Sequence, residues 1–239
     1  MLSEKFLKII LKNAQIAKEE NIPICQDTGI VCVYLEIGDK VVAKVKEWEE
    51  IINKAVGQGY IDFGLRKSVV TDPIERKNTG NNTPVLFTYN FVEGEKVRCV
   101  FLAKGTGAEN KSALKMLTPA EGVNGIKQFV VETVKNANGE ACPPVIIGIG
   151  LGGSFDKCAV LAKKALFRPL GQPNPNPIYA KLEQEILEEV NKTGIGPQGF
   201  GGTLTALAVH IEYLPCHIGA LPCAINLDCH AHRRVEFEI

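Results

Sequence analysis

The sequence predicts an α/β (mixed α+β) fold in which helices flank mixed sheets. Three observations support this prediction. Segments with helical periodicity interleave with β-rich segments along the whole chain. Hydrophobic residues occupy 45% of the 239 positions, enough for a sizeable core. No internal repeat or low-complexity tract stands out. We therefore expect a single domain over residues 1–239, with possible lobes at 1–104 and 105–239.

The first half opens with a predicted amphipathic helix over Ser3–Glu20, with an apolar stripe that starts at Phe6. Pro23 ends it, because proline cannot continue a helix. Apolar runs, helical spacing and turn residues then predict a strand at 30–37, a helix at 44–56, a polar loop at 66–84, and strands at 85–92 and 96–103. Gly94 lies between the last two strands and predicts that they form a hairpin.

The second half alternates in the same way. Helical spacing predicts helices at 110–117, 123–136 and 178–191, and apolar runs predict strands at 145–150, 203–213 and 224–227. Gly152-Gly153-Ser154 opens a further helix that continues to Leu166. The proline-rich stretch 171–177 is typical of a stiff linker.

The composition limits the partners and the compartment. Lys plus Arg equals Asp plus Glu at 27 each, so the charge gives no reason to expect binding to nucleic acid or to a membrane surface. The charged N-terminus lacks the apolar core of a signal peptide, and no long uncharged apolar window is present. We expect a cytoplasmic protein. In that compartment the eight cysteines favour metal binding or catalysis over disulfides.

The cysteines divide by their surroundings. Cys32, Cys99 and Cys158 lie in apolar runs and are expected to be small buried hydrophobes. By contrast, three cysteines lie in loop-like segments next to Pro, Gln or Asp: Cys25, Cys142 and Cys229. Three thiolates from distant loops could hold an iron–sulfur cluster and leave one iron without a cysteine ligand. An open metal position is typical of a catalytic site.

Other interpretations stay open on spacing alone. Segment 216–232 is rich in Cys and His and could hold zinc in a stabilised interaction subunit without catalysis, although no C-x-x-C pair occurs in the chain. An electron-transfer iron–sulfur module is disfavoured, because such modules normally ligate every iron. The pattern Gly148-x-Gly150-x-x-Gly153 weakly suggests a dinucleotide site, but close helix–strand packing explains it better.

Two features could bind anions. The glycine-rich run from Lys104 to Lys111 opens a helix, where free backbone amides suit a carboxylate or phosphate. Arg66, in the polar loop, could hold a carboxylate with two hydrogen bonds, although a solvated surface arginine is equally expected there.

Taken together, the motifs resemble a known family. They are PICQDTG, LRKSVVTDP with NTGNNTP, KGTGAENKS, ACPPV with GIGLGGSFD, GFGGT, and LPCHIGALPCAINLDCHAHRR. In this order they resemble the class I (iron–sulfur) fumarate hydratase and L-tartrate dehydratase family, specifically its α subunit or N-terminal portion. The resemblance runs from about Ile22 to Arg234, and six motifs in order are far more specific than any one of them.

The resemblance implies a site, with the two merged lobes arranged around it. Its metal would be a [4Fe–4S] cluster with one iron not ligated by cysteine. The matching ligands are Cys25, Cys142 and Cys229; the substrate-binding positions are Gln26, Arg66 and Gly107; and the catalytic positions are Asp27 and His217. Cys216 and Cys223 match no ligand.

The implied activity is a hydro-lyase that interconverts (S)-malate and fumarate, with L(+)-tartrate dehydration as the alternative. Single-chain members of the family continue beyond the region matched here. We therefore expect a partner β subunit to carry the remaining catalytic residues, and this chain alone to be inactive. We also hypothesise that Asp27 and His217 form a proton relay near the open iron, because the pKa of histidine lies near working pH.

Overall fold

The computed structural model describes residues 2–42 and 44–239, with the exception of the Leu2 side chain. The chain divides into two units. Unit 1 contains the chain up to Ile16 together with Gly107–His230, and unit 2 contains Ala17–Thr106 and Ala231–Ile239. The described residues form two mixed sheets of four strands each, accompanied by helices. The predicted α/β class is confirmed. None of the described helices is long and apolar enough to cross a membrane.

Unit 2 is built around one sheet with the strand order β2-β1-β3-β8. Its strands and helix are β1 (Ile30–Gly38), β2 (Leu86–Val92), β3 (Val97–Lys104), β8 (Arg233–Glu238) and α2 (Val45–Asp62). Strand β1 runs parallel to β2 and antiparallel to β3, which in turn pairs antiparallel with β8. The apolar run of β1 is almost wholly buried and makes this strand the core of the unit.

The predicted hairpin between β2 and β3 is wrong. Both strands exist close to their predicted bounds, but β1 lies between them and pairs with each. Turn residues report only that the chain reverses, whereas pairing depends on burial of apolar faces. The apolar run of β1 at residues 30–35 favours a central position, buried on both sides.

Unit 1 is built around a second sheet with the strand order β4-β7-β5-β6. Its strands are β4 (Ala113–Leu117), β5 (Val145–Gly153), β6 (Ala206–Cys216) and β7 (Leu221–Asp228). The helices that follow residue 105 are α3 (Thr106–Glu109), α4 (Gly122–Ala137), α5 (Phe155–Ala165) and α6 (Pro177–Asn191), with 3-10 turns at Asn138–Ala141 and Pro197–Gly199. Helix α1 (Leu2–Glu19) stacks the ring of Phe6 on that of Phe200 at 3.9 Å in this unit.

The predicted helix at 110–117 is also wrong. Helix α3 has one turn, and β4 follows it as an edge strand paired antiparallel with β7. The segment has good intrinsic helix formers, but pairing with a neighbouring strand overrides a weak local preference. Strand β8 was not predicted, although apolar residues alternate with charged ones from Arg234 to Ile239.

The glycines of β5 serve helix packing. A Cβ at Gly148 would lie 2.2 Å from the carbonyl oxygen of Ala162, and one at Gly150 would lie 1.9 Å from that of Cys158. Helix α5 therefore contacts the bare backbone of β5 directly. This close approach explains the Gly148–Gly153 pattern as packing, the interpretation that the sequence already favoured over a dinucleotide site.

Candidate active site

In unit 2, the loop that carries Cys25 is closed by the side chain of Asp27. Its carboxylate accepts hydrogen bonds from the backbone N–H of Gly29 (3.0 Å), the backbone N–H of Thr106 (2.8 Å) and the Thr106 hydroxyl (3.1 Å). Gly29 has φ +82°, and a Cβ there would lie 2.7 Å from the carbonyl oxygen of Lys104. The loop is thus tied to the end of β3, with half-buried Cys25 and exposed Gln26 at its tip.

These contacts determine the ionisation of Asp27. Burial, the largest single influence, would raise its pKa, but hydrogen bonds from Thr106 and Gly29 and the charge of Arg233 together outweigh it. The pKa of Asp27 is therefore lowered from its ordinary value. At neutral pH the side chain is a carboxylate that already accepts three hydrogen bonds.

Arg233 is a residue that sequence reasoning missed. Its guanidinium donates to the carbonyl oxygen of Asp27 at 2.6 Å and, through two nitrogens, to that of Ala103 at 3.0 and 3.1 Å. Arg233, the first residue of β8, thus connects the backbone of the Cys25 loop to that of β3. The sequence shows an arginine pair after Cys229, but it does not indicate that Arg233 donates hydrogen bonds to backbone carbonyl groups.

The polar loop that contains Arg66 is anchored to the same place. The Thr28 hydroxyl donates to the carbonyl oxygen of Arg66 at 2.8 Å. Fully buried Asn82 accepts from the N–H groups of Ser68 and Val69 and donates to the carbonyl oxygen of Gly29 at 3.0 Å. The Arg66 side chain is exposed, and no ion pair of it occurs among the described residues. Its guanidinium is available to a ligand.

In unit 1, Cys142 and Cys229 lie at the same edge of the sheet. Cys142 precedes β5, Cys229 follows β7, and these antiparallel strands bring Ile146 opposite Asp228. The backbone N–H of His230 donates to the carbonyl oxygen of Cys142 at 3.3 Å, which joins the two loops directly. Both cysteines are half-buried and neither forms a disulfide. Cys142 has φ 54°, a left-handed conformation that is uncommon for a side-chain-bearing residue.

Gly107 lies beside the turn that leads to Cys142. A Cβ at this position would come within 3.3 Å of the carbonyl oxygen of Glu140, and Lys111 forms a 2.5 Å ion pair with the Glu140 carboxylate. The Gly107 backbone is exposed. Two candidate residues from separate motifs therefore meet at one edge of this unit.

A polar network fixes α3 to β7. The buried amide of Asn226 donates to the carboxylate of Glu109 at 2.8 Å and to the Ser112 hydroxyl at 2.7 Å. Glu109 also pairs with Lys163 of α5. The network connects the turn at Gly107 to β7, the strand that precedes Cys229. It was not predicted, because its members lie far apart in sequence.

His217 lies elsewhere in unit 1. It belongs to the connection between β6 and β7, which passes the carboxyl end of β5, where Gly153 pairs with Cys216. Cys142 and Cys229 lie beyond the amino end of β5. The nine residues of β5 separate these edges by about 26 Å. Within one chain the imidazole of His217 does not reach the edge with the two cysteines.

The other cysteines are not arranged as ligands. Cys32, Cys99 and Cys158 are buried, as predicted. Cys223 is fully buried as well, and burial raises the pKa of its thiol to about 12, so that it stays protonated. Among the described residues, no group of three His, Cys, Asp or Glu side chains is placed to hold a metal ion, in segment 216–232 or elsewhere. Unit 1 by itself offers the thiols of Cys142 and Cys229 at one edge.

Sequence comparisons place the chain among the hydro-lyases. The model of the fumarate hydratase (Fumerase) family matches residues 1–238, and the chain therefore belongs to this family. A protein of Methanocaldococcus jannaschii named putative L(+)-tartrate dehydratase subunit alpha is 42% identical over 98% of this chain and 84% of its own length. The L(+)-tartrate dehydratase α subunits of Escherichia coli O157:H7 and K12 are 36% and 34% identical, over 93% of this chain and 74% of theirs. The family resemblance of the motifs is confirmed.

Proposed function

We propose that this chain is the α subunit of a [4Fe–4S] hydro-lyase that interconverts (S)-malate and fumarate. The observation that carries the proposal is the hydrogen bond from the N–H of His230 to the carbonyl of Cys142, because it joins the loops of two cysteines from separate motifs, neither of which forms a disulfide. Membership of the fumarate hydratase family supplies the reaction class.

The donor set suits a cluster held by three cysteines. Cys142 and Cys229 provide two half-buried thiols on loops, and soft thiolates are the ligands that iron–sulfur clusters prefer. Cys216 lies at the opposite edge of the unit 1 sheet and Cys223 is a buried neutral thiol. The third ligand that the family resemblance implies is Cys25. When bound, a [4Fe–4S] cluster with three cysteine ligands supplies a Lewis-acidic iron with an open position.

The remaining residues of the site recognise the substrate. A four-carbon diacid carries two carboxylates, and the C–H bond next to one of them becomes acidic only when the carboxylate charge is neutralised. The exposed guanidinium of Arg66 would bind one carboxylate with two charge-assisted hydrogen bonds. The Gln26 amide and the backbone at Gly107 would provide further contacts. Asp27 and His217 are the candidates for moving the proton of the departing hydroxyl group.

A β subunit would complete the site. The relatives from M. jannaschii and E. coli are named as subunits alpha, which implies a second subunit in those proteins. We propose that the partner of this chain supplies the residue that takes the carbon-bound proton. A reducing cytoplasm would suit the eight cysteines, none of which forms a disulfide.

L(+)-tartrate is the second candidate substrate, and a specific observation favours it: three relatives with 34–42% identity carry that name. Tartrate differs from malate by one hydroxyl group. The deciding experiment is anaerobic co-expression with the β subunit, followed by assays with malate, fumarate and L(+)-tartrate. Turnover of any of the three supports the hydro-lyase and identifies its substrate. A loaded complex that turns over none of them refutes the proposal.

A further inference from the structure

We infer that unit 2 binds a long-chain monocarboxylate, the chemistry of a fatty acid, in a groove between α2 and β8. The carboxylate lies at Arg233, and the alkyl chain follows the apolar side chains of the groove. The inference does not depend on the proposed hydro-lyase activity. It rests on the faces of β8, on the lining of the groove and on the position of its one charge.

Strand β8 divides its side chains between two faces, because successive side chains of a strand point in opposite directions. On one face, Glu236 and Glu238 form ion pairs with Arg98 and Lys96 of β3. The other face carries an arginine followed by three large apolar residues: Arg233, Val235, Phe237 and Ile239. These three apolar side chains are 47–77% exposed. The strand therefore presents an open apolar row that begins with a cation.

The apolar row and helix α2 form the two walls of the groove. Its two parts have volumes of about 450 and 460 Å³ and are continuous, since both are lined by Val56 and Phe101. Arg233 lies in one part and Ile239 in the other. Six residue steps along a strand correspond to about 20 Å. The groove is thus long and narrow, a shape that suits an extended alkyl chain.

The charge of the groove is confined to one end. Among the described residues that line it, Arg233 is the only charged one. Of the five N–H groups of its guanidinium, three donate to the carbonyl oxygens of Asp27 and Ala103. The other two have no hydrogen bond to the described residues and are available to an anion. An arginine–carboxylate pair is stronger in apolar surroundings than in water.

This distribution of charge selects the class of ligand. A short dicarboxylate would place its second charge among apolar side chains, where it has no partner and loses its hydration. An uncharged hydrocarbon would leave the two N–H groups of Arg233 unused. A single carboxylate with a long apolar tail satisfies both ends of the groove.

Trp48 provides a direct measurement of binding, because it is the only tryptophan of the chain and lines the groove. The full chain is titrated with octanoate, decanoate and laurate below their micelle concentrations, and tryptophan fluorescence is recorded. Binding should saturate at one equivalent and tighten roughly fourfold for each added CH₂, the gain expected for a buried methylene. Dodecanol should bind roughly tenfold more weakly than laurate, because it lacks the charge. Equal affinities for the three acids, or for laurate and dodecanol, would overturn the inference.

A substitution that fills the groove tests the location. Ala55 is exposed on α2 and lines the groove, so the ring of Ala55→Phe should occupy the space of the alkyl chain without disturbing the core. We expect laurate to bind at least tenfold more weakly, with an unchanged melting temperature. The control is Lys54→Phe, which adds the same ring one position away, at an exposed residue outside the groove lining. A wild-type affinity in Ala55→Phe would place the ligand elsewhere and overturn the inference.

Calorimetry on the complex with the β subunit excludes the other occupant, an apolar segment of that subunit. Laurate should bind the assembled complex with the affinity measured for the full chain alone. Loss of binding on assembly would show that the β subunit covers the groove, and would overturn the inference. Hydro-lyase turnover does not enter any of these measurements, so the proposed function and this inference can fail separately.

Discussion

The carboxylate of Asp27 accepts both the backbone N–H and the hydroxyl of Thr106, across 79 positions of sequence. This pair ties the loop of the first candidate ligand, Cys25, to the residue that precedes Gly107. The hydrogen bonds lower the pKa of Asp27, so the tie is present at neutral pH. The two residues connect motifs that lie far apart in the sequence.

The first prediction concerns this tie. The substitution Asp27→Asn keeps the shape of the side chain but removes the negative charge that strengthens its three hydrogen bonds. We expect the free energy of unfolding to fall by roughly 1–2 kcal/mol. The loss should lie near the lower value, because the carboxylate is partly solvated. Iron and sulfide content should fall with it. The control is Asp72→Asn, which loosens a similar turn at Ile74 and Glu75 without touching the site.

Asp27→Asn and His217→Asn also test the proton relay. If either side chain moves the proton, turnover should fall by roughly 10²-fold or more in a variant that still holds its cluster. Turnover is compared with cluster content in the same preparation. Wild-type turnover in a loaded variant removes that residue from the relay.

The second prediction concerns Arg233, which holds the Cys25 loop through the carbonyl oxygens of Asp27 and Ala103. Arg233→Gln should shorten the lifetime of the cluster in air and lower the melting temperature, because two backbone acceptors lose a charged donor. Arg98→Gln is the matched control on the same sheet, since Arg98 pairs with the carboxylates of Glu36 and Glu236. Equal cluster lifetimes in both variants would remove Arg233 from the site.

The third prediction concerns substrate binding by Arg66. Arg66→Gln should reduce kcat/KM by roughly 10²-fold, the effect of losing a bidentate charge-assisted pair. The melting temperature should stay at the wild-type value, because the guanidinium is exposed and only the backbone of Arg66 anchors the loop. Lys77→Gln, also exposed in this loop, is the control and should change neither quantity. A stable Arg66→Gln variant with wild-type kcat/KM would contradict the assignment.

The fourth prediction concerns pH. Burial raises the pKa of the Cys223 thiol to about 12, so the folded chain keeps this proton at pH values where the unfolded chain, with an ordinary thiol pKa of about 8.5, loses it. This contribution to stability is complete below pH 8.5 and decreases as the pH rises. Above pH 9, the unfolding free energy of the wild type should fall more steeply than that of Cys223→Ala, by up to about 1.4 kcal/mol per pH unit. Parallel slopes would contradict the raised pKa.

The sequence predicted the fold class and most elements, because apolar periodicity is a local property. It could not predict which strands pair. The turn at Gly94 suggested a hairpin, but β1 separates β2 from β3. Segment 110–117 has helical spacing but pairs with β7 as a strand.

For the candidate site, the motifs predicted ligand, substrate-binding and catalytic residues. They did not predict the residues whose hydrogen bonds fix the loops of that site. Arg233, Asn82 and Asn226 act on backbone groups or on distant side chains, and such contacts leave no pattern in one sequence. The position of His217 relative to Cys142 and Cys229 could not be predicted either. It depends on the direction of β5 and β7 in the sheet.

The most direct test of the central claim is electron paramagnetic resonance of the reduced, anaerobically purified complex with the β subunit, recorded with and without malate. We predict a brown protein with a [4Fe–4S] complement of iron and sulfide, whose spectrum changes when malate is added because the substrate reaches the open iron. Each of the variants Cys25→Ser, Cys142→Ser and Cys229→Ser should lose the signal. A colourless protein with stoichiometric zinc and no sulfide would contradict the proposed cluster. A cluster whose spectrum does not change when malate is added would contradict the proposed hydro-lyase.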